Sequence, residues 1–210
     1  MPVFITVLFA ALSLAAFGQE PPAKEAHGIP PRATPAEYQT HAQAGSVTIA
    51  AEFAGHAIPT PEGTLKSEEF VVVEAAVFGS AGTRLKLSIE DFSLKINDNK
   101  KLAPAEQYGL VYGSLKDPEL EPTKSSQNKP KTSLGGGQGE DSTPTPPKIP
   151  IEVRHAMQQK VQRAALPEGD RELPQDGLLF FKYRGKAEGI RYVELIYNGP
   201  AGKASIPLQP

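Results

Sequence analysis

The strongest constraint on the fold of this 210-residue chain is a series of short segments in which apolar and polar residues alternate. Glycine and proline, 19 and 21 in number, cluster between these segments and mark turns. Alternation every second residue is typical of half-buried strands, and many short strands separated by turns indicate an antiparallel β-sandwich. The sequence predicts about seven to eight strands, over residues 45–53, 69–78, 83–89, 92–96, 108–115, 178–183, 193–197 and 204–208.

The segment 69–78 is apolar on both sides and predicts a central strand. Its two faces carry Val71, Val73, Ala75 and Val77 on one side and Phe70, Val72 and Phe78 on the other. Only Glu74 interrupts the second face. A strand of this kind packs one face on the core and has the other partly covered by further chain.

One helix and one long loop interrupt the strand pattern. Residues 151–166 predict a helix, because Pro150 suits a first helical turn and Val153, Met157 and Val161 form an apolar stripe. The preceding residues 117–150 are rich in proline and glycine and almost free of aliphatic side chains, which predicts a disordered loop. Loop and helix together form one long connection inside the sandwich.

The N-terminal residues predict export from the cytoplasm. Residues 1–18 form an uncharged apolar run that ends in small residues, which is the layout of a signal peptide cleaved after Gly18. An uncleaved membrane anchor is the alternative, because no lysine or arginine precedes the run. Residues 19–44 are rich in proline and alanine and predict a flexible arm. We therefore expect a secreted or periplasmic protein that, without cysteine, folds by packing alone.

Four segments resemble a known family. The chain reads EFVVVE at 69–74, EDFSLKI at 90–96, GLLFF at 177–181 and VELIY at 193–197. This order is similar to that of the telokin-like, immunoglobulin-fold domains of unknown function in bacterial secreted proteins and lipoproteins. The resemblance covers 45–208 apart from the middle insertion, and 165–174 also resembles uncharacterised secreted proteins of soil bacteria. It implies an immunoglobulin-like sandwich, here without the cysteine pair or the core tryptophan, and it supplies no catalytic residue.

The sequence lacks the local motifs of catalysis and metal binding. Its four histidines have no zinc-ligand spacing, cysteine nucleophiles are excluded, and no Gly-x-Ser-x-Gly motif is present. We therefore expect no enzyme activity, no cofactor and no metal. His56, which follows a glycine at a predicted turn over 55–63 near Thr60 and Glu62, is the candidate for partner binding. The alternative is a turn histidine that bonds to backbone.

These observations predict a noncatalytic, exported immunoglobulin-like module that binds a protein or a component of the cell envelope. The expected surface comprises the 55–63 turn and the 117–150 loop. A net charge of −2 gives no reason to expect nucleic acid as a partner. The alternative is a small-ligand or glycan binder, or a hydrolase, on the same sandwich. Its aromatic platform would come from Tyr108, Tyr112, Tyr183, Tyr192 and Tyr197, since the chain has no tryptophan.

Overall fold

A computed structural model describes residues 26–97, 99–116 and 149–210. The predicted signal peptide, residues 19–25 of the predicted arm and 117–148 of the predicted loop lie outside the described residues. The described part is mostly β, with thirteen strands and one α-helix, α1 (Ile151–Ala164). The strands are β1 (Thr40–Ala44), β2 (Val47–Gly55), β3 (Ala57–Thr60), β4 (Gly63–Ser67), β5 (Phe70–Phe78), β6 (Arg84–Leu87), β7 (Phe92–Ile96), β8 (Ala103–Glu106), β9 (Leu115–Lys116), β10 (Gly169–Glu172), β11 (Gln175–Lys182), β12 (Val193–Gly199) and β13 (Gly202–Leu208).

Eight strands form the main antiparallel sheet, in the order β1-β2-β5-β11-β8-β7-β12-β13. The short strand β8 joins the two halves, because it pairs with β11 on one side and with β7 on the other. The sequence predicted seven to eight strands in all. The remaining five strands form a two-stranded sheet, β10-β6, and a three-stranded sheet, β3-β4-β9.

The main sheet curls until its two edge strands approach each other. Gln39, beside β1, donates from Nε2 to the carbonyl oxygen of Gln209, beyond β13, over 2.9 Å. Gly45 adopts a positive φ of 58°, and a Cβ atom there would lie 2.0 Å from the carbonyl oxygen of Ala201. Only glycine permits this approach between the β1–β2 turn and the β12–β13 turn. The architecture is consistent with a β-sandwich whose edges nearly meet.

The main core lies inside the curl and draws side chains from both halves of the sheet. Its buried members include Val47, Ile49, Val71, Val73, Val77, Leu179, Phe181, Leu94, Val193, Leu195, Tyr197 and Ile206. Every second residue of each strand points inwards, which is the alternation that the sequence shows. The alternating segments therefore bury one contiguous apolar core.

Strands β5 and β11 are buried on their outer faces as well. Phe70, Val72, Leu178 and Phe180 pack there in a second cluster against α1 and the β3–β4 hairpin. From α1 this cluster receives Met157, Val161 and Ala164, so the predicted apolar stripe does face the sheet. The prediction of a central strand at 69–78, covered on its second face, is confirmed.

Three sequence predictions are wrong within the described residues. The predicted arm continues as ordered structure from residue 26, with β1 paired along its whole length to β2 and Tyr38 only 5% exposed. The predicted turn at 55–63 contains β3, which pairs with β4. The predicted strand at 108–115 is a 3₁₀ helix, Tyr108–Ser114, which buries Val111 beneath it.

Candidate functional site

His56 lies at the base of the β3–β4 hairpin, and its ring contacts three backbone carbonyl groups. Nδ1 lies 2.9 Å from the carbonyl oxygens of Ser67 and Phe70, and Nε2 lies 2.9 Å from that of Gly185. Carbonyl oxygens only accept, so each ring nitrogen forms its bond only when it carries hydrogen. The ring thus connects the hairpin, the start of β5 and the loop after β11. This geometry matches the alternative of a turn histidine that bonds to backbone.

Thr60 and Glu62 lie at the opposite end of the same hairpin. Thr60 donates from Oγ1 to the carbonyl oxygen of Gly63 over 2.6 Å, which closes the turn. Glu62 forms an ion pair with Arg163 of α1, with Oε1 2.7 Å from Nη2. At the usual rise of about 3.3 Å per strand residue, four residues separate His56 from Thr60 by roughly 13 Å. The three candidate residues therefore do not form one site.

The side chains that do surround His56 are mainly cationic. They line an open cleft of about 450 Å³, here called the cationic cleft, which is formed by His56, Lys66, Ser67, Glu68, Lys116, Arg184, Gly185 and Lys186. Lys116 pairs with Glu68. Arg184 pairs with Glu69, with Nη2 3.0 Å from Oε2. Among the described residues, four lysine and arginine side chains therefore face two carboxylates, and the surplus there is positive.

A buried serine fixes the floor of the cationic cleft. Ser67, 1% exposed, accepts through Oγ from the N–H groups of Phe70 and Glu69 over 3.1 and 3.3 Å. Its hydroxyl lies 2.7 Å from the hydroxyl of Ser114, which itself donates to the carbonyl oxygen of Val111 over 3.0 Å. Ser67 must therefore donate to Ser114. Since His56 contacts the Ser67 carbonyl group rather than its hydroxyl, this pair is not a serine–histidine dyad.

A second polar cluster lies on the outer face of β2, β5 and β11. The hydroxyl of Tyr38 donates to Oδ2 of Asp176 over 2.5 Å, and it accepts from the backbone N–H of Arg32 over 3.1 Å. The Arg32 guanidinium reaches Oε2 of Glu52 at 2.7 Å and Oε1 of Glu74 at 3.1 Å. We name Arg32, Tyr38, Glu52, Glu74 and Asp176 the acidic cluster. Two of its three carboxyl groups, those of Glu52 and Glu74, share one guanidinium, whereas Asp176 bonds to the Tyr38 hydroxyl.

Burial perturbs the titration of this acidic cluster. It raises the pKa of Asp176 to about 7, against the opposing effect of the Tyr38 hydroxyl, and the charge of Glu74 raises that pKa further. Burial also raises the pKa of Glu74, although Arg32 lowers it. The pKa of Tyr38 rises because the phenol is buried and donates to Asp176. Sequence analysis missed this cluster, although Glu74 stands between apolar strand residues and Asp176 directly precedes the apolar segment 177–181, which are unusual places for a carboxylate.

The tyrosines proposed as a glycan platform are dispersed. Tyr197 is 1% exposed and belongs to the core, whereas Tyr192 is 40% exposed on the surface. Tyr108 and Tyr112 lie together, with ring centroids 6.1 Å apart. Tyr108 also lines a pocket of about 390 Å³ whose apolar wall includes Leu178.

Within the ranges 26–97, 99–116 and 149–210, no group of histidine and carboxylate side chains has metal-binding geometry. No helix of those ranges is long and apolar enough to cross a membrane. No family model, curated protein or solved structure matches the chain.

Proposed function

We propose that this chain is a noncatalytic, exported immunoglobulin-like module that binds a negatively charged component of the cell envelope. The observation that carries the proposal is the cationic cleft. Among the described residues, its lysine and arginine side chains outnumber the neighbouring carboxylates by four to two, and they converge on one depression. A concave surface of one sign concentrates the field and attracts partners of the opposite sign.

Two side chains of the cationic cleft have no carboxylate partner in the described part of the chain. Lys66 and Lys186 are exposed, and neither takes part in an ion pair there. Both ammonium groups therefore remain available to an anionic ligand without breaking an existing contact. The other two cations are positioned by their carboxylates, which reduces the side-chain entropy lost on binding.

The location of the cationic cleft agrees with the partner surface expected from the sequence. It includes His56, and Lys116 immediately precedes the proline- and glycine-rich residues that begin at 117. Loops at the ends of sandwich domains often carry binding function, since the sheets beneath them are rigid. The cationic cleft and that segment would thus form one surface. Nucleic acid is not the proposed partner, because export would keep it away from the cleft.

The immunoglobulin-like relationship is supported by the order of the motifs and by two groups of antiparallel strands. Strands β1, β2, β5 and β11 form one half of the main sheet, while β7, β12 and β13 form most of the other. An experimental structure in which β1 and β13 were joined by a continuous ladder would contradict it, because the fold would then be a closed barrel. Export is tested by measuring the mass of the protein isolated from its native cells. We expect this mass to correspond to a chain that begins at Gln19.

Charge reversal tests the cationic cleft directly. Binding of fluorescein-labelled inorganic polyphosphate, a soluble substitute for a phosphate-rich envelope polymer, is measured by anisotropy. The double variant Lys66→Glu, Lys186→Glu should bind at least about tenfold more weakly, since four charge units change at the site. Lys86 and Lys203 are exposed outside the cleft, so Lys86→Glu, Lys203→Glu is the control with the same net charge.

Four outcomes of these binding measurements are informative. Loss confined to the cleft variant supports the proposal, and equal loss in both variants would show only a general charge effect. No binding of polyphosphate by the wild-type chain at low salt would contradict an anionic polymer as the partner. If labelled poly-glutamate alone binds, and binds at the cleft, the partner is an acidic protein.

The pocket beside Tyr108 favours a second candidate function, the binding of a small ligand or glycan. Its apolar wall, the tyrosine ring and the carboxylates of Glu106 and Glu168 offer stacking and hydrogen-bonding groups together. Titration with wall fragments, followed by tyrosine fluorescence, tests it with Tyr108→Ala as the comparison. If the fluorescence response to the fragments persisted in this variant, the pocket beside Tyr108 would be excluded as their binding site.

A further inference from the structure

The residues before β1 cross the outer face of the main sheet and are fastened there. We call residues 26–38 the N-terminal strap. The backbone N–H of Ile29 donates to the carbonyl oxygen of Asp176 over 3.0 Å. The Tyr38 ring packs edge-on against Phe78, with centroids 5.9 Å apart, and shares a small buried cluster with Ala50 and Ala76. The strap therefore covers apolar residues of β2 and β5.

Charge is not balanced beneath the strap. Glu52 and Glu74 are directly opposite each other on β2 and β5, and both are paired with Arg32. The Arg32 guanidinium also lies 4.4 Å above the Tyr38 ring, so its position is fixed from three sides. Asp176 receives the neutral hydroxyl of Tyr38 and the Gly177 N–H but forms no ion pair with Arg32. The three carboxyl groups of the acidic cluster thus outnumber its single guanidinium by two.

Asp176 is the carboxyl group in this cluster for which ionisation is most unfavourable. It is 1% exposed, and its Oδ1 has no hydrogen-bond partner among the described residues. The nearby charge of Glu74 on β5 opposes ionisation, whereas Arg32 and Tyr38 of the strap and the Gly177 N–H of β11 favour it. Burial outweighs these favourable contacts and brings the pKa to about 7.

We propose that the N-terminal strap is a proton-controlled latch, closed over Asp176 while that carboxyl group is protonated and released as it ionises. The strap itself buries Asp176, because Tyr38 and Ile29 lie directly on it. Opening admits water and restores an ordinary environment for the carboxylate. The proposal does not depend on what the cationic cleft binds.

The direction of the pH dependence follows from proton linkage. An exposed aspartate titrates near 4 and the covered Asp176 at about 7, so between these values opening releases one proton. The closed state is then disfavoured by up to about tenfold for each pH unit of increase. Below pH 4 and above pH 7 both states carry the same number of protons, so the equilibrium is constant there. Stability of the latch is therefore greatest in acid and is lost as the pH rises to about 7.

Amide hydrogen exchange measured by NMR tests the latch. Ile29 and Arg32 report on the strap, because their N–H groups bond to Asp176 and Tyr38. After correction for intrinsic exchange, their protection should fall by up to about 100-fold between pH 5 and pH 7 and then level off. Amides of the central strand, such as Val73, give the control, since their opening is governed by the whole fold.

The variant Asp176→Asn separates ionisation from packing. It retains the size of the side chain and is never charged, so the strap amides should show the same protection at pH 5 and pH 8. If the protection of the strap amides fell as steeply with pH in this variant as in the wild-type protein, the proposal would be overturned. Direct ¹³C titration of the wild-type Asp176 carboxyl group needs no variant at all, and a midpoint below pH 5 would overturn it as well.

Discussion

Substitution of Gly177 by alanine tests how the chain after α1 is attached to the sheet. Gly177 lies in β11, and a Cβ atom there would be 2.4 Å from Cα and 2.5 Å from N of Leu166. Leu166 is held against this strand by its N–H, which donates to the carbonyl oxygen of Leu178 over 3.1 Å. An added methyl group must therefore displace either the strand or the residues that follow the helix.

The size of the effect follows from this overlap. Ordinary van der Waals contact begins at 3.4 Å, so the two backbones must separate by about 1 Å. Overpacking of this kind costs about 1–3 kcal/mol, and weakening the Leu166–Leu178 hydrogen bond adds about 1 kcal/mol. Gly177→Ala should lower the free energy of unfolding by about 2–4 kcal/mol. The backbone of Gly177 has no positive φ, so conformational strain does not contribute.

Urea unfolding followed by circular dichroism measures this difference, with Gly109→Ala as the matched control. A Cβ atom at Gly109 meets nothing within 4 Å, and its φ is also ordinary for an L-residue. The control should be unchanged or up to about 1 kcal/mol more stable, because alanine restricts the unfolded chain. If Gly177→Ala were as stable as the control, the close attachment of Leu166 to β11 would be refuted.

Two further predictions concern surface positions. Asn97 has a φ of 53°, accepts from the N–H groups of Arg191 and Tyr192, and donates to the carbonyl oxygen of Gly189. Asn97→Ala should lower the free energy of unfolding by about 1–3 kcal/mol, and Asn97→Gly by less, since glycine tolerates that φ; equal losses would show that backbone strain is unimportant. Arg163→Gln should cost under about 1 kcal/mol in thermal unfolding, because its pair with Glu62 is exposed; a larger loss would contradict that.

The strands of the main sheet that sequence reasoning found are those with a strong apolar pattern, either alternating or continuous. The predictions at 69–78 and 193–197 agree with β5 and β12, because a half-buried or fully buried strand requires apolar residues at fixed positions. The helix at 151–166 was recognised from its stripe and ends at Ala164. These elements could be predicted because burial alone determines their residue pattern.

The missed strands lie where burial is weak or proline is present. Strand β1 reads THAQA and is a short edge strand, so it carries little apolar signal. Strand β3 contains Pro59, which resembles a turn residue in sequence, yet β3 is the edge of its sheet and an edge strand needs fewer N–H donors. Strand β8 contains Pro104 and pairs over only two residues on each side.

The polar clusters could not be predicted, because they depend on contacts between distant parts of the chain. Tyr38 and Asp176 are 138 residues apart in sequence. The cationic cleft likewise combines residues of the β3–β4 hairpin, β9 and the loop after β11. In the sequence His56 lies close to Thr60 and Glu62. In the structure Thr60 and Glu62 lie at the tip of the β3–β4 hairpin, near α1, whereas His56 lies at its base, near the start of β5.

Net charge is a poor guide to the partners of this chain, since acidic and basic groups are separated within the fold. The value of −2 combines the acidic cluster, centred on Glu74 and Asp176, with the cationic cleft near Arg184. Along β11 from Asp176 to Lys182 the distance is about 20 Å, at about 3.3 Å per residue. This exceeds the screening length of about 8 Å at physiological salt. An anionic partner at the cleft therefore experiences the local positive field, and the protons of the acidic cluster are governed by their own burial.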